Sequence, residues 1–346
     1  MHDYIIVGAG LAGISFAETA INNNKSVVVF ENESQNSSRI AAGLYNPVIL
    51  KRFSEVAHAK EQLELGAFFY QNMEKKVGIN LDTKLPILRK FFSIEEQNNW
   101  FAAADKIKLA PFLSLDILYK NYEFIKAPFG YGVVLQTGYV ATGTLLDVYH
   151  NYLNKNHLLI RETFDYSLLH QFDDHVSYKN IRARHLVFAE GFGIHANPFF
   201  NYLPLDGTKG ELILIKAPEL NLAEIINTSV FILPLGNDLY KVGATYNWKD
   251  KTNIPTPEGK SELVDRLREI ITCDFEVILH EAGIRPTVRD RRPLVGTHFQ
   301  NQRFHILNGL GTRGVMIGPW VAKELFDHIE HQIPLSKENN IQRFKE

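Results

Sequence analysis

DYIIVGAGLAGISFAETA, residues 3–20, is the stretch that decides the fold. Tyr4 to Val7 form a short apolar run of the kind a strand buried on both faces requires. Gly8, Gly10 and Gly13 follow in a G-x-G-x-x-G spacing, and from Leu11 onward Ile14, Ala17 and Ile21 recur on one helical face. Each glycine has its own task at such a junction. Gly8 permits the tight turn, Gly10 lets the backbone approach a pyrophosphate, and Gly13 allows close packing of helix on strand. The helix N-terminus then offers free N–H groups and the positive end of its dipole to the phosphates. Glu31 closes a second apolar run, VVVF at 27–30, where a carboxylate can accept both ribose hydroxyls of an adenosine.

Two further apolar runs, HLVFA at 185–189 and FHIL at 304–307, end at Glu190-Gly191 and Asn308-Gly309. In open α/β sheets ligands bind beyond the carboxyl ends of the strands, so these distant segments can surround one site. Helical stripes are expected at 57–77, carrying Leu65, Phe69 and Met73, and at 143–154. A last helix is expected after Pro319, carrying Val321, Leu325 and Ile329, with the proline in its first turn. The intervals 80–140 and 200–285 read as strands separated by turn signals such as PFGYG (128–132) and LGND (235–238), with VFILPLGNDLYKVGATY (230–246) as an antiparallel hairpin. The predicted fold class is therefore α/β: a Rossmann-like dinucleotide domain of residues 1–79, 138–200 and 286–346. An antiparallel-sheet (α+β) substrate domain of residues 80–137 and 201–285 is inserted into it. The C-terminal SKENNIQRFKE reads as a polar surface tail.

The 346-residue chain is 45% hydrophobic and carries 37 Lys plus Arg against 39 Asp plus Glu, a formal charge of -2. A dedicated nucleic-acid binder shows a basic excess, and this chain has none. The single cysteine, Cys273, excludes internal disulfides and Cys-based zinc sites and suits a reducing compartment. No apolar run approaches the ~18 residues of a membrane span, and the first strand begins too early for a signal peptide. A cytoplasmic location is the expectation.

LNGLGTRGVMIGPW (307–320) is a second strand, glycine turn and helix. Such a helix N-terminus would stabilise the negative charge that a reduced flavin carries, which nicotinamide never acquires. With a single dinucleotide motif in the chain, this favours FAD over NAD. GIRPTVRDRRPLVG (283–296) concentrates positive charge in a slightly acidic protein through Arg285, Arg289, Arg291 and Arg292. In an extended segment Arg285, Arg289 and Arg291 would share a face. A guanidinium grips carboxylate by a planar fork, and one arginine suffices for that; the remaining three are expected to be solvated or paired with acids such as Asp290.

Taken in order, IIVGAGLAG (5–13), Glu31, RIAAGLYNPV (39–48), GYVATGTLL (138–146), LVFAEGFG (186–193), KGELILI (209–215), VGAT (242–245), GIRPTVRDRRPLVG (283–296) and LNGLGTRGVMIGP (307–319) resemble the D-amino-acid oxidase, glycine oxidase and sarcosine oxidase superfamily of FAD-dependent enzymes. The resemblance implies that Arg39, Ala41, Ala42, Gly43 and Leu44 wrap the cofactor, together with Gly8, Gly10, Leu11, Ala12, Gly13, Glu31, Phe164, Glu190 and Gly191. Gly309, Gly311, Thr312, Arg313, Gly314 and Val315 would close over the flavin. It implies that Arg285 grips a substrate carboxylate, with Arg313 and Phe231 as further substrate candidates; Tyr45, Tyr246 and Trp248 are expected either to line the pocket or to serve as core or rim. Phe231 stands where glycine-oxidase-like relatives use a tyrosine hydroxyl. Cys273 lies outside the closing loop, so the implied FAD is non-covalent. The implied reaction is oxidation of the C–N bond of a small amino acid or N-substituted amino acid, hydride passing to flavin N5 to leave an imine. VRDRRPLVG with GLGTRG also resembles the oxidoreductase domain of the bifunctional enzyme that modifies the wobble uridine of tRNA, and a flavoprotein without catalysis is the remaining alternative.

Overall fold

The computed structural model describes residues 1–344. The elements that build the site are, in chain order, β1 (His2–Val7), α1 (Leu11–Asn22), β2 (Val27–Phe30), α2 (Ala59–Val77), α3 (Thr142–Lys155), β3 (Leu159–Ile160), β4 (Ile181–Phe188), β5 (Thr208–Lys216), β6 (Phe231–Gly236), β7 (Leu239–Gly243), β8 (Glu276–Arg285), β9 (Phe304–Asn308) and α4 (Gly314–His331).

The four apolar runs are parallel neighbours. The order β3-β2-β1-β4-β9 forms one sheet, in which Val7 lies level with Phe30 on one side and Phe188 on the other. Their carboxyl ends therefore share one edge. Burial on both faces explains the unbroken apolar strands: Tyr4, Ile5, Ile6 and Val27 to Phe30 are all buried. At Gly13 a Cβ would lie 1.8 Å from the carbonyl oxygen of Gly8, so only glycine lets α1 press this closely on the end of β1. The outer side of α1 is held by Glu18, fully buried and bonded by Lys76 Nζ of α2 at 2.7 Å and Tyr149 Oη of α3 at 2.9 Å.

A second sheet of eight strands carries β8, β5, β7 and β6 in that order and continues through 225–227, 87–90, 131–134 and 113–118. It is antiparallel except where 225–227 runs beside 87–90. The expected hairpin is β6 and β7. Asn237 and Asp238 at its tip have φ of 52° and 62°, the positive pair that a twist-matched two-residue turn demands.

Three expectations are corrected. The last helix starts at Gly314, before Pro319 rather than at it. A proline inside a helix leaves the carbonyl four residues earlier without its N–H partner. Here that carbonyl belongs to Val315, and Tyr70 Oη of α2 donates to it at 2.7 Å in a buried setting. The C-terminal segment is not merely a surface tail. Ile341 is buried, and Arg343 bonds Asp290 and the main chain; Lys345 and Glu346 lie outside the described residues. The 285–291 segment is not extended, because β8 ends at Arg285 and Arg291 adopts φ 61° in a turn.

Tyr70→Phe should leave the Val315 carbonyl buried and unpaired and lower stability by about 1–3 kcal/mol. Denaturant unfolding of the two proteins checks this.

Candidate active site

One long cavity of about 530 Å³ runs along the shared strand edge and under the second sheet. Gly8, Glu31, Glu190, Gly191 and Asn308 line it, as the position of the strand ends requires. Two helices begin at it. Leu11 and Ala12 of α1 and Gly314 and Val315 of α4 are lining residues. The N–H groups of a first helical turn have no acceptor within their own helix, so that of Ala12, a lining residue, is left for a ligand. The Leu11 N–H goes to Ser38 Oγ at 3.1 Å. Glu31 is held in place by the N–H groups of Ala9 (2.6 Å) and Glu33 (2.7 Å).

Arg285 enters from the second sheet, at the last position of β8. Its guanidinium carbon sits 4.5 Å from the centre of the Tyr246 ring, and Nη1 donates to Thr245 O at 3.2 Å. The group folds across Gly210, where a Cβ would lie 1.9 Å from Nη2. No carboxylate lies within ion-pair distance of it among the described residues. Burial draws its pKa below the usual arginine value, with Tyr246 acting the other way. A desolvated cation with free donors is prepared for an anion.

Of the residues singled out in the sequence, Gly8, Gly10, Leu11, Ala12, Glu31, Ala41, Ala42, Gly43, Leu44, Phe164, Glu190, Gly191, Gly311, Thr312, Gly314, Val315, Phe231, Tyr246 and Arg285 all line this cavity. Others do not. Arg39 is exposed and turns to Asp147 Oδ1 at 2.5 Å. Tyr45 is buried with its hydroxyl on Asp82 Oδ1 at 2.8 Å, away from the cavity. Gly13 and Gly309 act in packing, the latter against Val288. Trp248 is exposed and is not a lining residue. Arg289 faces Asp206 at 3.8 Å and Arg292 bonds Glu338 at 2.5 Å, while Asp290 is taken by Arg343. Arg313 stands beside the cavity between two lining residues, half-buried. Sequence reasoning missed Ser38, Tyr166 and Gly210. None of the three carries a local signal, whereas Asn308, expected at the site as the end of β9, does line it.

The family model for FAD dependent oxidoreductases (DAO) matches residues 3–328. The chain belongs to the DAO family of FAD-dependent oxidoreductases. It is 22% identical to the glycine oxidase of Bacillus subtilis (strain 168) over 360 residues, covering 95% of this chain and 93% of that protein. It is 26% identical over 200 residues to the tRNA 5-methylaminomethyl-2-thiouridine biosynthesis bifunctional protein MnmC of Marinobacter nauticus, covering 51% of this chain and only 32% of that longer protein. The structure of glycine oxidase from Bacillus cereus ATCC 14579 superposes with a TM-score of 0.78 at 19% identity, over 96% of each chain.

The residues present fit FAD. Glu31, the free N–H groups of α1 and the second helix N-terminus at Gly314 supply the acceptor and donors that ribose, pyrophosphate and an electron-rich ring require. Cys273 is buried in the core of the second sheet and does not line the cavity, so no thiol faces the cofactor of this DAO-family chain. Glu190 receives hydrogen bonds from Tyr166 Oη and from Asn197 Nδ2, the latter at 2.6 Å. Those bonds favour its anion, yet burial outweighs them and pushes its pKa up to about 7.

Between its ordinary value of 4.5 and about 7 the folded chain holds this proton and the unfolded chain releases it, so the carboxyl lowers stability as pH rises through that window. Glu190→Gln removes the titration. Its melting temperature relative to the native chain should rise from pH 4.5 to 7 and then level off, read by thermal unfolding at matched FAD.

Proposed function

We propose that this chain oxidises the C–N bond of a small amino acid or N-substituted amino acid whose carboxylate is held by Arg285. The observation that carries this reading is the Arg285 guanidinium: half-buried in the cavity wall, backed by Tyr246, and without an acid partner among the described residues. A planar fork facing a cavity selects carboxylate by two parallel charge-assisted bonds. Full-length likeness to a glycine oxidase supports an amino acid as the substrate class. Phe231, paired with Gly243 in the β6–β7 hairpin, offers an apolar ring where relatives are expected to offer a hydroxyl, which suits a substituent larger than hydrogen on the amine or the α-carbon.

Bound FAD supplies the hydride acceptor for such an oxidation. What the chain's own residues do is orient and exclude water. Arg285 fixes the carboxylate, and therefore the direction of the neighbouring C–H bond. Leu212, Phe231, Ala244 and Pro286 wall the same region with apolar surface. Among the described residues the lining carboxylates, Glu31, Glu162 and Glu190, come from the ends of the parallel sheet and the 162–164 segment, and no histidine lines the cavity. The amine proton is therefore lost to water, and catalysis rests on orientation and electrostatics rather than on a side-chain base.

Two outcomes follow. Arg285→Ala should cost about 2–5 kcal/mol in kcat/KM, on the order of 30-fold or more, by raising KM for every carboxylate substrate. Unchanged steady-state kinetics would remove the anchor. The pH profile of kcat/KM should follow the amine pKa of each substrate and move when that pKa is changed; a profile fixed to the protein would reveal a side-chain base.

A further inference from the structure

The Arg285 guanidinium ends a paired strand, but the Tyr246 ring and the Thr245 carbonyl that flank it lie on the irregular segment after β7. Apolar packing does not fix that segment. From Tyr246 to Thr256 no residue is buried, and Tyr246, Trp248 and Ile254 are exposed. Its fixed point is a charge. Lys209, in β5 beside Gly210, is fully buried, and its main chain exchanges two hydrogen bonds of 2.9 Å with Asn247, the residue after Tyr246. The Lys209 ammonium donates to Asp250 Oδ2 at 2.5 Å, to the Ile254 carbonyl and to Thr252 Oγ1 at 3.4 Å. An ammonium has three donors, and here each finds its acceptor on one short arc of chain. Within the arc Asp250 Oδ1 accepts from the Thr252 N–H and hydroxyl at 2.8 Å, and Asn247 Oδ1 accepts from the N–H groups of Lys249 and Asp250. The bond from Lys209 is the first cause that draws the Asp250 pKa down to about 2, so this carboxylate stays charged at neutral pH. The far end of the segment is tied to β5 through Glu211, which accepts from the Thr256 N–H at 3.0 Å and from its hydroxyl at 2.8 Å. Burying an ammonium is costly unless its donors are met, and an apolar side chain would fill the same space. What the charge adds at position 209 is a hold on a segment that has no core of its own.

We propose that Lys209 is a positioning residue for carboxylate binding: its buried ammonium holds the 245–256 segment so that the Tyr246 ring and the Thr245 carbonyl stay fixed against the Arg285 guanidinium. Lys209 is not a lining residue, so it acts through the segment and not on the ligand. This rests on Arg285 as the carboxylate anchor proposed above. Without the ammonium, Asp250 and the Ile254 carbonyl lose their shared donor, and Tyr246 is released from the face of Arg285.

The test is a double-mutant cycle on binding, read by calorimetry of the FAD-loaded protein with methylthioacetate, a carboxylate that has sulfur in place of the oxidised amine. Lys209→Met should weaken binding about fivefold or more, and Asp250→Asn should act in the same direction. In a Tyr246→Ala background Lys209→Met should cost no more than about twofold further, because the ring it positions is gone. A lysine that serves stability alone would lower the melting temperature and leave the two losses additive. Additive losses, or native affinity in Lys209→Met, overturn the proposal. If Lys209→Met does not retain FAD, the same cycle with Asp250→Asn in place of Lys209→Met decides it by the same criterion. A native protein that binds no methylthioacetate removes the anchor and the proposal with it. The oxidation reading fails separately: the coupling between Lys209 and Tyr246 would stand, yet no amine would reduce the flavin.

Discussion

The contact between Gly13 and the Gly8 carbonyl is the constraint on which the rest depends. A Cβ at Gly13 would lie 1.8 Å from that oxygen, so any other residue would push α1 off the end of β1. Held there, the helix aims its first-turn N–H groups at the edge of the sheet. The level register of β1, β2 and β4 brings Glu31 and Glu190 to that same edge, and β9 adds Asn308. A cofactor site assembled from segments 300 residues apart in the chain is thus a consequence of parallel pairing and one close approach.

The chemistry faces this edge from the other sheet. Arg285 ends β8, a strand paired along its length with β5, and the absence of a side chain at Gly210 of β5 gives the guanidinium its bed. A binding group on paired strands is positioned more sharply than one on a loop. Tyr246, by contrast, sits on the irregular segment after β7, and its ring is largely exposed where it does not cover Arg285.

What could be read from the sequence was local. The glycine spacing, the apolar runs and the acids and amides that close them signal their places because strand and helix periodicity is a property of neighbours in the chain. The arginine proposed to hold substrate stood out by resemblance. Several misreadings share a different cause: they concerned a partner far away in sequence. Arg39 is drawn off by Asp147, Tyr45 by Asp82, and Pro319 is tolerated inside a helix because Tyr70 takes the carbonyl it leaves free. Ser38 and Tyr166 gain their roles only when the Leu11 N–H and the Glu190 carboxylate arrive beside them. No window of sequence contains those meetings.

The most direct test of the central claim is the visible spectrum of the purified FAD-loaded protein, kept free of oxygen, before and after each of a panel of amino acids and N-substituted amino acids. Oxidation of a C–N bond beside a carboxylate predicts that at least one of them bleaches the flavin absorbance. A flavin that stays fully oxidised through the whole panel would contradict it.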